Sequence, residues 1–284
     1  MTTNQKQIET LVEDIYQLLD ENTSHEVNED FLEAAAEQFK EALRRKLSKQ
    51  ERKGSIRMSG LGKPDCQVRY KVNEPHLGEG MPPKAHMKFL YGDILEVILL
   101  YLAKEAGHTV EHEQLEVECD GVKGHLDAVI DGVVVDAKSA SSYSFKKFED
   151  GTLSQDDPFG YISQVAAYCH TTGIARGGFL VIDKTLGDLC FMELSREDID
   201  ANHPQVAIDR QRKVVSGDIS PSRFDPTPDG KSGNMKLATM CSYCDFKYDC
   251  WKDSNGGRGL RTFIYSNGPR FLTAVAREPD VYES

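Results

Sequence analysis

Apolar residues recur every three or four positions from Gln5 to Leu19, at Ile8, Leu11, Val12, Ile15 and Leu19, a period that predicts a helix with one buried face. The same spacing predicts a second amphipathic helix from about Glu29 to Leu47. Two breaker-rich stretches follow, "GSIRMSGLGKPDC" and "NEPHLGEGMPPK", and both read as loops. A strongly apolar helix is predicted between His86 and Ala106, with Gly107 placed to cap it. The period then shortens to two. Apolar and β-branched runs at Val110–Cys119, Gly124–Ile130 and Val133–Ser139 predict a three-stranded meander, from which a Ser- and aromatic-containing loop leads to Gly160. A helix from about Tyr161 to Thr171, strands at Gly178–Asp183 and Leu189–Leu194, and helical segments from Ser195 to Val215 come next. A Pro/Gly/Asp loop, a cysteine-rich segment and a hairpin at Arg261–Val275 around "SNGP" follow them. Helix, meander, helix and two strands in that order predict an α/β fold.

With 284 residues, 39% hydrophobic and 28% charged, the chain has the material for one large core or for a core with a helical appendage. Its longest apolar run, "VILLYLA", falls far short of the roughly 20 residues of a membrane span, and its polar start is no secretory signal, so a cytoplasmic protein is expected. A net charge of −12 by itself argues against a nucleic-acid partner. The distribution changes that picture: "RRKLSKQERK" from Arg44 to Lys53 holds six basic residues, and Arg57, Lys63, Arg69 and Lys71 follow.

Chemistry concentrates in "GHLDAVIDGVVVDAKSAS", where charges interrupt a strip of buried β-structure. Asp131-Gly132 between β-branched runs is a two-residue hairpin signal. Pairing Ile130 with Val133 then sets Asp127 across from Asp136 and His125 across from Lys138, all on one face, while Ala128, Ile130, Val133, Val135 and Ala137 take the other. Opposed carboxylates have Cβ atoms roughly 4.5–5.5 Å apart and need a cation between them. A hard divalent ion, Mg²⁺ or Mn²⁺, suits two carboxylates and leaves room for water and a phosphate. A solvated surface hairpin in which Lys138 merely neutralises Asp136 is the alternative reading of the same residues.

Gly124-His125-Leu126-Asp127 followed by Asp136-Ala137-Lys138 resembles the D…(D/E)-x-K core of the PD-(D/E)XK nuclease superfamily, in its RecB-like branch. Glu96, in the helix before the meander, stands where that family has an acidic helical ligand, and Gln164 and Tyr168 match the branch's Q-x-x-x-Y motif. Where many RecB-like members carry a histidine one turn before the acidic residue, this chain has Gly92, which leaves His125 as a substitute ligand to be tested. The resemblance implies that Glu96, Asp127, Asp136 and the Ala137 carbonyl hold Mg²⁺ or Mn²⁺, that Lys138 assists the attack, and that Gln164 and Tyr168 help to hold DNA.

Seven cysteines, an odd number, argue against a disulfide framework in a chain of this kind and point to metal binding. Cys241, Cys244 and Cys250 form C-x2-C-x5-C; Cys66, in a loop-like context, is the natural fourth ligand, whereas Cys119, Cys169 and Cys190 lie in apolar patterns and read as ordinary buried thiols. One remote cysteine with three clustered ones around the core resembles the iron-sulfur RecB-like nucleases, including AddB-type and CRISPR-associated adaptation exonucleases, in which four cysteines hold a 4Fe-4S cluster. Zinc suits the same four ligands. A Walker-like "DGKS" at Asp229–Ser232 lacks the first glycine of a phosphate loop, because Asp225 occupies its place.

The resemblance covers roughly residues 60–255. Two regions are therefore expected: a helical N-terminal extension with its basic segment at 1–59, and at 60–284 a restriction-endonuclease-like mixed sheet flanked by helices and closed by the cluster. The implied activity is metal-dependent hydrolysis of DNA phosphodiesters at strand ends, preferring single strands. Arg44, Arg45, Lys146 and Lys147, with Tyr143, Phe145 and Phe148, are candidate strand contacts. A non-catalytic DNA-binding or assembly subunit, and a site-specific endonuclease, are the alternatives on the same fold.

Overall fold

Between residues 110 and 140 the alternating pattern folds into five strands where three were expected: β1 Val110–Glu111, β2 Glu116–Cys119, β3 Val122–His125, β4 Ala128–Ile130 and β5 Val133–Ala140. The first expected strand is broken because His112 and Gln114 take left-handed backbone angles, φ 56° and 52°, which turn the chain out of its extended path. The second is broken at Leu126-Asp127. Here Leu126 N–H donates to the Leu115 carbonyl and Gln114 N–H to the Asp127 carbonyl. As a result β2 and β3 form a two-stranded sheet of their own, and β1 pairs with β4 in a separate sheet.

Two later strands join that sheet, β6 Gly177–Asp183 and β7 Leu189–Glu193. Its order is β1-β4-β5-β6-β7, with β5 and β6 parallel and the other neighbours antiparallel. The helices are α1 Leu11–Leu18, α2 Glu29–Leu47, α3 Asp65–Asn73, α4 Pro83–Glu105, α5 Ser142–Glu149, α6 Tyr161–Thr172, α7 Arg196–Ala201 and α8 Pro204–Ser216. Short turns α9 Thr239–Ser242 and α10 Lys247–Cys250 carry the clustered cysteines, and strands β8 Thr227–Pro228, β9 Met235–Lys236, β10 Arg261–Tyr265 and β11 Gly268–Ala274 form a further antiparallel sheet. This computed structural model describes residues 6–48, 54–80 and 83–284. Within them no helix is long and apolar enough to cross a membrane.

One helix lies where a loop was expected, and another begins inside an expected loop. "SYSFKKFE" forms α5 because Ser141 caps it, accepting from Ser144 N–H, and because Phe145 and Phe148, three apart, are both buried. "DCQVRYKVN" forms α3, which places Cys66 in the first helical turn instead of a loop.

The chain divides into two units, and the division differs from the expected one at residue 59. The first is drawn from Met1–Glu51, Arg57–Leu61 and Pro82–Ala207, the second from Arg52–Ile56, Gly62–Met81 and Ile208–Ser284. The N-terminal helix is no appendage. Ile8, Leu11 and Ile15 are buried against Leu99, Leu100 and Ala103 of α4 and against Ala128, Ile130, Val133, Val135, Ala137 and Leu180 of the sheet. In the second unit Leu237, Cys241 and Trp251 form the buried centre. Arg210 there grips Asp65 with a forked pair of hydrogen bonds at 3.1 and 2.5 Å, so α3 is tied to α8.

A buried histidine fixes α1 to the hairpin that carries the charged strip. His108, 5% exposed, lies 2.6 Å through Nδ1 from Asp131 Oδ2 and 3.2 Å through Nε2 from Asp14 Oδ2. Asp131 and Gly132, with φ of 49° and 80°, make the two-residue turn that the sequence signalled, and Asp131 Oδ1 also accepts from Thr109 N–H at 3.0 Å. Replacing His108 by Ala strips two largely buried carboxylates of this partner. Urea denaturation should show a loss of about 3 kcal/mol with an unchanged denaturant slope.

Candidate active site

The hairpin register is the expected one: Ile130 faces Val133, Val129 faces Val134 and Ala128 faces Val135. Continuing it by one residue sets Asp127 opposite Asp136, and Asp127 Oδ2 accepts from Ala137 N–H at 2.8 Å. Because side chains alternate along β5, Val133, Val135 and Ala137 enter the core while Asp136 and Lys138 point to the face covered by α6.

Asp136 is 1% exposed. Its Oδ1 accepts from Gln164 Nε2 at 3.1 Å, and the same amide lies 3.2 Å from the Tyr168 hydroxyl. Its Oδ2 is ion-paired with Lys138 Nζ. Gln164 and Tyr168, one helical turn apart on α6, are thus linked to each other, and Gln164 reaches the carboxylate. Gly124 makes room for this arrangement, since a Cβ there would come within 2.8 Å of Tyr168 Cε1.

The electrostatics report a crowd of acids. Burial pushes the Asp127 carboxyl well above the ordinary range, and the charges of Asp136 and Glu96 push it further. Glu96 is raised to about 7, first by burial and then by Asp136, with Lys138 opposing. Burial works against the Lys138 ammonium, yet Asp136 and Asp127 beside it hold the group protonated above the usual lysine range. Burial and Asp136 likewise raise the Tyr168 phenol. Glu96, Asp127, Asp136, Lys138, Gln164 and Tyr168 are therefore brought together.

His125 is not. The chain break at Leu126-Asp127 moves it to the exposed end of β3, where it pairs with Glu116 in the ladder and lies 3.6 Å from that residue's carboxylate, instead of facing Lys138. Lys138 faces Val181 of β6. The candidate strand contacts are each balanced by a neighbouring acid. Arg44 lies 3.2 Å from Glu37, Arg45 lies 3.3 Å from Asp93, Lys146 lies 2.7 Å from Glu149, and Lys147 pairs with Asp156. Lys49, Arg52 and Lys53 of the basic run fall outside the described residues.

Two residues that the sequence did not single out belong to this cluster. Gln114 donates its side-chain amide to Glu96 Oε1 and its backbone N–H to the Asp127 carbonyl, so it spans two of the acids. Tyr161, the first residue of α6, lies with its ring centroid 5.1 Å from Lys138 Nζ. Neither is preceded by a recognisable signal, because a left-handed glutamine and a helix-opening tyrosine are both unremarkable in one dimension.

No family model matches the chain, and no curated relative matches it. Among solved structures, SSO0001 is 18% identical with a TM-score of 0.41, covering 75% of this chain and 94% of its own. LHK-Exo in complex with dAMP is 15% identical with a TM-score of 0.40, over 59% of this chain and 90% of its own, and LHK-Exo is an alkaline exonuclease of Laribacter hongkongensis. A phage-related exonuclease from Haemophilus somnus 129PT is 13% identical with a TM-score of 0.37, over 58% of this chain and 96% of its own. At scores this low the residues themselves must decide the chemistry.

Among the described residues no group of three or more His, Cys, Asp and Glu side chains is gathered tightly enough to hold a metal ion as it stands. In the acid cluster, Lys138 occupies Asp136 Oδ2. The donor set nevertheless suits a hard divalent cation: the donors are carboxylate oxygens, and two of the carboxyls are raised, first by burial and then by the charges of their acidic neighbours.

In the second unit Cys66, Cys241, Cys244 and Cys250 line one small cavity together with Pro64, Gln67, Arg223, Lys247 and Trp251, and all four are free thiols. A hydrogen bond from Cys250 lowers the Cys66 pKa, and burial raises those of Cys241 and Cys244, the latter to about 11. Arg223 donates to the Cys250 carbonyl at 2.8 Å and stacks 4.2 Å from the Trp251 ring centroid. The four thiols share one cavity, but among the described residues they are not gathered tightly enough to hold a metal ion as they stand. Cys169 is buried as expected, whereas Cys119 and Cys190 are half-buried.

A raised carboxyl pKa makes a stability statement. Folded Glu96 retains a proton up to about pH 7 that the unfolded chain releases near 4.5, so metal-free stability is full below the lower value and falls as pH rises through the upper one. Asp127 acts in the same direction. Urea denaturation in EDTA should show a decline on the order of 3 kcal/mol attributable to Glu96, and Glu96→Gln should flatten it.

Proposed function

We propose that the chain is a divalent-metal-dependent deoxyribonuclease of the PD-(D/E)XK type, in its RecB-like branch, which hydrolyses phosphodiester bonds at DNA ends and prefers single strands. The observation that carries this reading is the gathering of Glu96, Asp127 and Lys138 around the buried Asp136, with the acids charging one another upward and Lys138 paired to Asp136 Oδ2. A fold gains nothing from placing three acids within reach of one another, since each raises the cost of charging the others.

Glu96, Asp127, Asp136 and the Ala137 carbonyl would hold Mg²⁺ or Mn²⁺, which when bound polarises a phosphate and makes water a better nucleophile. Lys138 keeps its proton and supplies positive charge where the pentavalent phosphate builds negative charge. Gln164 holds the Asp136 carboxylate by Oδ1, Lys138 pairs with its other oxygen, and Tyr168 holds Gln164 in turn. Gln114 keeps Glu96 turned towards Asp127. Arg45 and the α5 lysines stand as phosphate contacts that exchange an intramolecular acid for the strand.

The test uses a labelled linear single strand and a covalently closed circle, with Mg²⁺ or Mn²⁺. Wild-type protein should digest the linear strand and leave the circle whole. Asp136→Asn and Lys138→Ala should each lower the rate by about a hundredfold or more. Undiminished cleavage in either variant removes the mechanism, and cutting of the circle replaces the exonuclease with an endonuclease.

We propose further that Cys66, Cys241, Cys244 and Cys250 hold a 4Fe-4S cluster, on the strength of their convergence on one cavity. Anaerobically purified protein should be brown, carry about four irons per chain, and lose both colour and iron in Cys250→Ser. A colourless protein with about one zinc per chain would assign the same ligands to zinc.

A further inference from the structure

Lys138 and a divalent ion compete for Asp136 Oδ2, because the ammonium already pairs with that oxygen. An ion arriving there takes away the counter-ion of the lysine and sets a like charge beside it. A lysine stem is flexible and its tip strongly hydrated, and 21% of the Lys138 side chain is exposed, so a path to water lies open. Something other than Asp136 must then keep the ammonium beside the reacting phosphate.

The Tyr161 ring stands where that support is needed. Its centroid is 5.1 Å from Lys138 Nζ while the ion pair is intact, so the ammonium reaches the ring without a large displacement. Other rings fix its position. Tyr161 stacks on Phe159 with centroids 5.4 Å apart and planes inclined by 22°, and it leans on Phe148 of α5 and Phe179 of β6 at 6.3 and 6.4 Å. Its backbone is pinned too, since Tyr161 N–H and Ile162 N–H donate to the Asp157 carboxylate at 3.0 and 2.9 Å at the start of α6. Phe179 lies beside Asp136 in the ladder between β5 and β6, and Phe148 and Phe179 are both buried. Ammonium and ring therefore meet among apolar neighbours, where the attraction of a cation to an aromatic face is strongest.

We propose that Tyr161 is a positioning residue whose ring holds the Lys138 ammonium beside the acids when a divalent ion takes Asp136 Oδ2. This rests on the nuclease reading above and deepens it, by naming what lets lysine and metal act at one carboxylate. A neutral ring suits the task better than a further acid, which would bind the ion itself. The face of the ring does the holding, so the phenol hydroxyl is dispensable.

The lysine can be followed by NMR on protein carrying isotopically labelled lysine, its ε-methylene resonance being the one lost in Lys138→Arg. The ring should place that resonance upfield of ordinary lysines. Mg²⁺ should shift it saturably, as the ammonium gives up Asp136, and leave it upfield; in Tyr161→Leu the same titration should end at the ordinary lysine position. On a single-stranded substrate, Tyr161→Leu should lower kcat about tenfold with KM little changed, and Tyr161→Phe should keep the wild-type rate. Because leucine removes packing as well as a ring face, a second replacement separates the two. Pentafluorophenylalanine in place of Tyr161 keeps the shape of the ring and reverses the charge of its face, and it should lower kcat as leucine does. A Lys138 resonance that travels to the ordinary position in wild type on adding Mg²⁺, or an undiminished rate with the fluorinated ring, overturns the positioning role. A resonance that ignores Mg²⁺ overturns instead the metal reading on which the role rests.

Discussion

Two carboxylates set face to face across a hairpin govern the first unit of this protein. Asp127 and Asp136 are opposed only because the turn at Asp131-Gly132 has two residues and a left-handed backbone at both, which fixes Ile130 against Val133. A slip of one residue would turn the acids away from each other and drive Ala128 and Val135 out of the core. The apolar face and the acidic face thus enforce the same register. What stabilises the hairpin is the burial of one side, and what destabilises it is the charge on the other.

The surroundings respond to that strain in charge. Lys138 pairs with Asp136, Ala137 N–H donates to Asp127, Gln164 donates to the remaining Asp136 oxygen, and Gln114 reaches Glu96. Each relieves one carboxylate, and together they still leave Glu96 and Asp127 with raised pKa values. Relief that stops short in this way is what a site for an external cation requires, because full internal pairing would leave nothing for the ion to stabilise. His108 does the opposite job at the far end of the hairpin, where it lies between Asp131 and Asp14 and locks the turn.

Much of this could be read in one dimension, and the failures have definite causes. The register and the apolar face of β5 were legible because the turn is short and strand side chains alternate. His125 was misplaced because the alternation was followed through Leu126-Asp127, where hydrogen bonds to Leu115 and Gln114 take the chain into a second sheet. Those partners come from a segment bent by left-handed His112 and Gln114, residue types that carry no turn signal. α5 was read as a loop because its serine and lysine content outweighed a short apolar spacing, and the Gly- and Ser-rich loop reading ran two residues into α3, to Cys66. Phe145 and Phe148 decide the matter in three dimensions by being buried. The expected extension at 1–59 failed for the same reason: Ile8, Leu11 and Ile15 looked like one face of an independent helix and are part of the main core.

The helix that bears Glu96 shows how one element serves several ends. Leu99, Leu100 and Ala103 at its C-terminal end join the core with α1 and the sheet, which fixes the helix rigidly. Its middle carries Glu96 to the acids, and one turn earlier Asp93 draws in the basic end of α2. Core packing therefore sets the position of the acid, and the acid's helix sets the position of the cations. A basic run on a chain of net charge −12 acquires meaning through this chain of contacts, since local placement beside buried carboxylates, more than the overall sum, decides what a polyanion would meet.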